Sequence, residues 1–380
     1  MRIGIDASRA FGSERTGTEN YSYEMIMAIL ALPEAKEHEW ILYTKHQITN
    51  SIIQTNSNVQ IKKIKLLHLW TQLGLAFRTW IDRLDVLWVP AHTLPILRKP
   101  GLKTVVTIHG IEYEWLPAYE NLLQRWYLPL STIYACKQAS KLIAVSNFTK
   151  SELVERLGAK DYRITTIHEG VLTQVPRNPF DKLRASKFQD TNKQKIQILK
   201  KYNLKEKEYL LFIGTVQPRK NLERLIEAFS HIGSVVKLVI VGKLGWEYDS
   251  IITAPKRFGV EDKVKLMGYV DDSDRDILLR SALIYVQPSI TEGFGLPIVE
   301  AWQAKVPVVS SRGGALKEVV GEAGLLFDPL NIKDICDSLS LVINSHKLQR
   351  ELISKGLKRV GEFNWKKSAI QTYNILTRWN

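Results

Sequence analysis

The chain has 380 residues, of which 45% are apolar and 24% charged, a balance that fits a globular protein and excludes a disordered one. That length predicts two domains in place of a single core. The formal charge of +14 favours anionic partners, and no run approaches the roughly 18 apolar residues a membrane-spanning helix needs.

A β-branched stretch begins at once, with Arg2, Ile3, Gly4, Ile5 and Asp6 and no hydrophobic leader, so a cytoplasmic location is expected. Cys136 and Cys336 lie far apart and suit buried single thiols better than a bridge. Apolar runs at 2–6, 40–43, 59–63, 86–89, 103–108, 141–145 and 164–167 predict strands. Segments of helical period, such as 20–32 and 150–157, lie between them. Strand–helix alternation of this kind predicts a parallel, doubly wound sheet.

Residues 174–192, with Pro176, Asn178 and Pro179 in a polar run, break the pattern and read as a connection. From Asp181 to Lys205 eight Lys or Arg face two acids. A solvated linker and helix face accounts for this charge, and no series of stacking aromatics is spaced through it, so nucleic acid is not expected as a partner. A second strand series follows at 209–213, 236–241, 264–267, 282–287, 306–310 and 324–327, before a helical, aromatic-rich segment at 365–379. The expected fold is α/β, with two Rossmann-like domains facing a central cleft. Their expected bounds are 1–175 and 206–362, with a basic linker at 176–205 and a C-terminal helix at 363–380 that packs back toward the first domain.

Two loops carry the chemistry. In the first, Glu292, Gly293, Phe294, Gly295, Leu296 and Pro297 follow a strand and lead into a helix that contains Glu300. Proline suits the first helical turn, where its missing N–H costs nothing, and the glycines let backbone approach a ligand. Such a loop aims N–H groups and a helix N-terminus at an anion. The two carboxylates can accept hydrogen bonds from sugar or ribose hydroxyls, and a capping Glu292 with a surface Glu300 is the plainer alternative. In the second loop, Arg219 and Lys220 sit where cations can reach a diphosphate, and Asn221 is placed to cap the helix that Leu222 begins. An exposed basic turn is the alternative there. Both loops follow strands, at the edge where open α/β sheets bind ligands. The acids Asp271, Asp272, Asp274 and Asp276 precede a helical run and read as its cap and first turn. No metal site is expected, since the eight histidines show no ligand spacing.

These residues, together with Val239-Ile240-Val241-Gly242, Gly268-Tyr269-Val270, Thr107-Ile108-His109-Gly110 and Ala144-Val145-Ser146-Asn147, resemble the retaining glycosyltransferases of family 4 (group 1, mannosyltransferase-like), which have the GT-B fold. The resemblance runs from Met1 to the final helix. It implies that Arg219 and Lys220 hold a donor diphosphate, that Glu300 bonds the ribose, and that Glu292 grips the donor sugar or its phosphate with the amides of Gly293, Phe294 and Gly295, beside Leu296. The base would lie against Gly268, Tyr269 and Val270, near Gly242. Gly17 would sit in a loop that approaches the phosphates, and His109, with Ser146 on the acceptor side, near the reacting sugar. The chain departs from the family's pattern at Thr215, where many relatives carry arginine, and at Glu19, where they often carry glycine; Arg219 would take over from Thr215.

The implied reaction is metal-independent transfer of a hexose with retention, with GDP-mannose as the first choice of donor and UDP-glucose or UDP-N-acetylglucosamine as alternatives. A GT-B epimerase, a glycan phosphorylase and a non-catalytic nucleotide-sugar binder share the architecture. The phosphorylase lacks its lysine motif here. A glycan or lipid-linked oligosaccharide is the expected acceptor. Trp70, Trp80, Trp88, Trp115, Trp126 and Tyr127 among Lys62, Lys63, Lys65, Arg78 and Arg83 suit peripheral contact with an anionic membrane at its inner face; core packing is the plainer role for part of this set.

Overall fold

A computed structural model describes residues 1–12, 17–48, 51–54, 56–66, 69–111, 122–171, 192–233 and 235–379, with backbone alone at 51, 52, 122–126 and 128. The chain divides into two compact units, Met1–Gly170 with Trp365–Asn380, and Val171–Asn364.

The first unit is built on seven parallel strands: β1 (Arg2–Asp6), β2 (Glu39–Thr44), β3 (Val59–Lys63), β4 (Val86–Val89), β5 (Lys103–Ile108), β6 (Lys141–Ala144) and β7 (Ile164–Thr166). Their order is β3-β2-β1-β4-β5-β6-β7, with Ile3 between Trp40 and Val86. Central strands such as Val86–Val89 are buried throughout, as a parallel sheet covered on both faces requires. Winding reverses between β1 and β4, so the loops after those strands flank a switch point where such sheets bind ligands.

In the second unit six parallel strands follow the order β10-β9-β8-β11-β12-β13. They are β8 (Tyr209–Ile213), β9 (Lys237–Val241), β10 (Val264–Leu266), β11 (Ile284–Gln287), β12 (Val308–Ser311) and β13 (Leu325–Phe327). Here the reversal falls between β8 and β11. Helix Leu222–Ser230 places Leu222, Leu225, Ile226 and Phe229 on one buried stripe against Phe212 and Val286. Each such burial contributes about 1.5–3 kcal/mol.

Four local expectations need correction. Gly17 is the first residue of helix Gly17–Leu30 and is exposed, so it is not a loop residue; residues 13–16 ahead of it lie outside the described set. Part of the expected linker, Asn192–Lys201, is a helix of the second unit, and the Lys201 ammonium (2.7 Å) and the Tyr202 hydroxyl (2.8 Å) both donate to Asp274. Asp272 and Asp274 stand in the first turn of helix Asp272–Ser281 as expected, with Asp274 also paired to Lys201, but Asp271, at its N-cap position, makes no side-chain capping bond. Asn221 takes the N-cap position with φ 57°, and its side chain also makes no cap. Its amide instead donates to the carbonyls of Pro288 (3.1 Å) and Pro329 (2.7 Å), stitching loops together inside the unit, while its Oδ1 accepts from Arg224 at 3.0 Å.

Helix Trp365–Thr377 belongs to the first unit. Ser368 donates to the His168 carbonyl at 2.7 Å, and the Tyr373 hydroxyl donates to the Glu34 carbonyl at 3.1 Å. Both cysteines are free, and burial pushes the Cys136 thiol up to about 12.

Candidate functional site

Two loops of the second unit meet at its switch point. The loop after β8 carries Arg219 and Lys220; the loop after β11 carries Glu292. The Ile290 N–H donates to the Arg219 carbonyl at 2.9 Å, and with the two Asn221 bonds this fixes one loop to the other.

Between them lies a buried ion cluster. Lys220 donates to Glu292 Oε1 at 2.5 Å and Arg219 to Oε2 at 2.9 Å. The same guanidinium nitrogen also donates to the Thr291 carbonyl at 2.6 Å. Ser289 (2.6 Å) and Gln287 (3.0 Å) add two further donors to Oε1. Burial would raise the Glu292 carboxyl, but the charges of Arg219 and Lys220 and the bonds from Lys220 and Ser289 outweigh it and hold the group at about 2. Glu292 is thus ionised at neutral pH and fixes the direction of both cations.

Sequence reasoning missed Gln287 and Ser289. Tyr285, Gln287 and Ser289 alternate along β11 and its continuation, so they share one face of a strand that is otherwise apolar. The Tyr285 hydroxyl donates to Gln287 at 2.5 Å, and Gln287 donates on to Ser289 at 2.8 Å. Polar side chains with period two inside a central strand were the available signal.

Glu300 has a separate partner. Arg275 donates to its Oε2 at 2.9 Å, and that carboxylate raises the guanidinium further above its ordinary value. Arg275 was also missed, since no local pattern links residues 275 and 300. Glu300 rides on helix Leu296–Gln303, whose N-cap is Gly295 at φ 104° and which has proline in its first turn, as expected. Phe294 and Leu296 are buried, Phe294 edge-on to Phe363 at 5.5 Å.

The expected base-binding stretch is stitched by backbone. The Gly242 N–H donates to the Gly268 carbonyl at 2.8 Å, so that amide is engaged within the protein. At Gly242 an added Cβ would lie 1.8 Å from the Gly214 carbonyl oxygen, which only glycine avoids. Tyr269 is 52% exposed and the Lys243 ammonium lies 4.9 Å from its ring centre, while Val270 is core. Thr215 is half-buried, and its methyl would meet a Cβ added at Gly245.

In the first unit His109 directly follows β5. Its Nδ1 is 3.2 Å from Glu169 and its Nε2 2.9 Å from the Pro90 carbonyl. Tyr21 stands edge-on to the ring at 4.5 Å. Burial and the neighbouring His109 hold His92 down at about 3, so it is neutral and can accept from the His109 N–H. Ser146, expected on the acceptor side, is buried; its oxygen accepts from the Thr149 N–H at 3.0 Å and caps helix Asn147–Leu157.

This pair of Rossmann-like units, with a buried cation–carboxylate cluster at the second switch point, is the GT-B fold of glycosyltransferases. Residues 194–359 match the family model for glycosyl transferases group 1, and residues 35–175 match that for glycosyltransferase family 4. The chain belongs to this family. It is 31% identical over 277 residues to O-antigen chain mannosyltransferase B of Escherichia coli, covering 72% of this chain and 69% of the relative. It is 26% identical over 249 residues to the serotype-specific mannosyltransferase WbdA of Escherichia coli, spanning 64% of this chain and only 29% of WbdA. Sucrose-phosphate synthase from Thermosynechococcus elongatus superposes with a TM-score of 0.76 at 18% identity, over 98% of both chains. HepE of Anabaena, solved with UDP and glucose, does so at 0.73 and 16%, over 99% of both.

Proposed function

We propose that this glycosyltransferase moves mannose from GDP-mannose, with retention and without a metal, to a hydroxyl of a glycan or lipid-linked oligosaccharide. The reading rests on the Arg219–Lys220–Glu292 cluster, and the names of the mannosyltransferase relatives support the choice of sugar. Departure of the nucleoside diphosphate leaves an oxocarbenium-like sugar, so fixed positive charge at the leaving group lowers the barrier most. Lys220, Arg219 and the N-terminus of helix Leu296–Gln303 supply that charge in this proposal. Glu300, held through Oε2 by Arg275, keeps Oε1 for the ribose hydroxyls. Peripheral contact with a membrane, at its inner face, accompanies the reaction in this reading; among the described residues no helix is long and apolar enough to cross one.

A thermal-shift screen of GDP-mannose, UDP-glucose and UDP-N-acetylglucosamine tests the donor. At a hundred times its dissociation constant the true donor adds about 2.7 kcal/mol. Stabilisation by UDP-sugars alone rejects guanine, and stabilisation by none rejects nucleotide-sugar binding. The anomeric configuration of the product, read by NMR, tests retention.

His109→Ala is expected to cut turnover by about 10²–10⁴-fold while the thermal shift with GDP persists. The ring is fixed through both nitrogens, so its position in the first unit is set before any substrate arrives. Near-normal turnover in this variant would remove His109 from the mechanism.

A further inference from the structure

We propose that the apolar face of residues 69–81, with the neighbouring loop at 95–97, docks on a bilayer rich in anionic headgroups. This deepens the peripheral contact proposed above by assigning it a surface. Turn Trp70–Leu75 runs into helix Ala76–Ile81. One side is core: Trp70, Leu75, Ala76 and Thr79 are buried, and Gly74 packs so closely that an added Cβ would sit 2.5 Å from Ile64.

The opposite side is exposed and apolar. Leu69, Leu73, Phe77, Trp80 and Ile81, spaced as neighbours on a helix, are 49–64% exposed, and Ile96 and Leu97 stand beside them at 55% and 72%. The loop is tied to this side, for the Trp80 indole N–H donates to the Leu97 carbonyl at 2.9 Å and the Ile96 N–H to Gln72 at 2.9 Å. Single exposed apolar residues are ordinary on a protein surface, whereas a contiguous group of seven marks an interaction face. With its N–H already bonded inside the protein, the Trp80 ring can leave water without stranding a donor.

Charge selects the occupant. Residues 40–81 contain no acid and carry Lys45, Lys62, Lys63, Lys65 and Arg78. Ile64 and Leu66 pack on Gly74, which brings the exposed Lys63 and Lys65 to the edge of this face, and Arg83 is exposed at its other end. The next acid, Asp82, is buried and held by Lys62 and the Tyr43 hydroxyl. Apolar side chains flanked by lysines match the layering of a bilayer surface, with hydrocarbon beneath phosphate.

The test is co-sedimentation of the full chain with vesicles of phosphatidylcholine alone, or with about one third phosphatidylglycerol. Binding is expected to be at least about tenfold tighter to the mixed vesicles and to weaken with salt. The double variant Leu73→Glu/Phe77→Glu should lose about tenfold or more of that binding. Ile196→Glu/Leu341→Glu, which alters exposed apolar residues of the second unit, should lose none. Equal binding by the Leu73/Phe77 variant, or no vesicle binding by the parent chain, overturns the proposal. So does a self-association of the parent that the Leu73/Phe77 variant abolishes, which would assign the face to a second copy. The GDP thermal shift, measured on every variant, reports the donor site independently, so failure of one reading does not imply failure of the other.

Discussion

Lys220→Ala should lower turnover by about 10²–10³-fold and weaken GDP binding, because it removes the cation best placed to follow charge onto the leaving diphosphate. The two cations of the cluster differ in what holds them. The guanidinium of Arg219 bridges Glu292 and the Thr291 carbonyl, and its side chain is only 7% exposed. The Lys220 side chain is 14% exposed and its ammonium donates to Glu292 Oε1. An ammonium rotates about its stem and can serve a second acceptor, whereas a guanidinium in a two-point bridge is better suited to hold the loop. Arg219→Lys should therefore reduce thermal stability more than Lys220→Ala does, and Lys220→Ala should be the more damaging in kcat. Comparing kcat, GDP affinity and Tm for the two variants checks the division; equal profiles would refute it.

The second large effect is expected at Glu292. Its removal in Glu292→Ala takes away the carboxylate that pairs both buried cations, which costs about 3–5 kcal/mol of stability, read as a fall in the urea midpoint. Turnover should fall as well, since the carboxylate that directs Lys220 would be gone. The pH dependence has a definite sign. Folding holds the carboxyl at about 2, below the ordinary value of about 4.3, so its contribution is complete above about pH 5 and disappears as the pH falls toward 2. The stability gap between the parent chain and Glu292→Gln should accordingly shrink on acidification. A gap that stays constant from pH 7 to pH 3 would show that the carboxylate is not ion-paired as described.

The central strands, such as β4, β8 and β11, were legible because they are short apolar runs buried on both faces. Their edges were less legible. Ala282 reads as strand, yet its N–H donates to the Leu279 carbonyl and closes the preceding helix, so β11 begins at Ile284. Helix Asn147–Leu157 starts before its apolar period does, because Ser146 supplies the cap. At the site, Arg219, Lys220, Glu292 and Glu300 stood out through their loops and glycines. Their partners did not. Glu169 lies 60 residues from His109 in sequence, so nothing local announces the pairing. Asn221 was misread because helix-cap chemistry and loop stitching use the same short polar side chain, and only burial decides between them.

The placement of helix Trp365–Thr377 in the first unit bears on biosynthesis. Lys141 donates to the Arg378 carbonyl 237 positions along the chain, and the Trp379 ring lies 4.2 Å from that ammonium and 5.1 Å from that of Lys103. While the ribosome is still reading the intervening codons, Tyr21 and His38 lack the aromatic neighbours that Trp365 and Tyr373 later provide. The unit translated first is therefore the one completed last, and residues 171–364 can close their own core before it does.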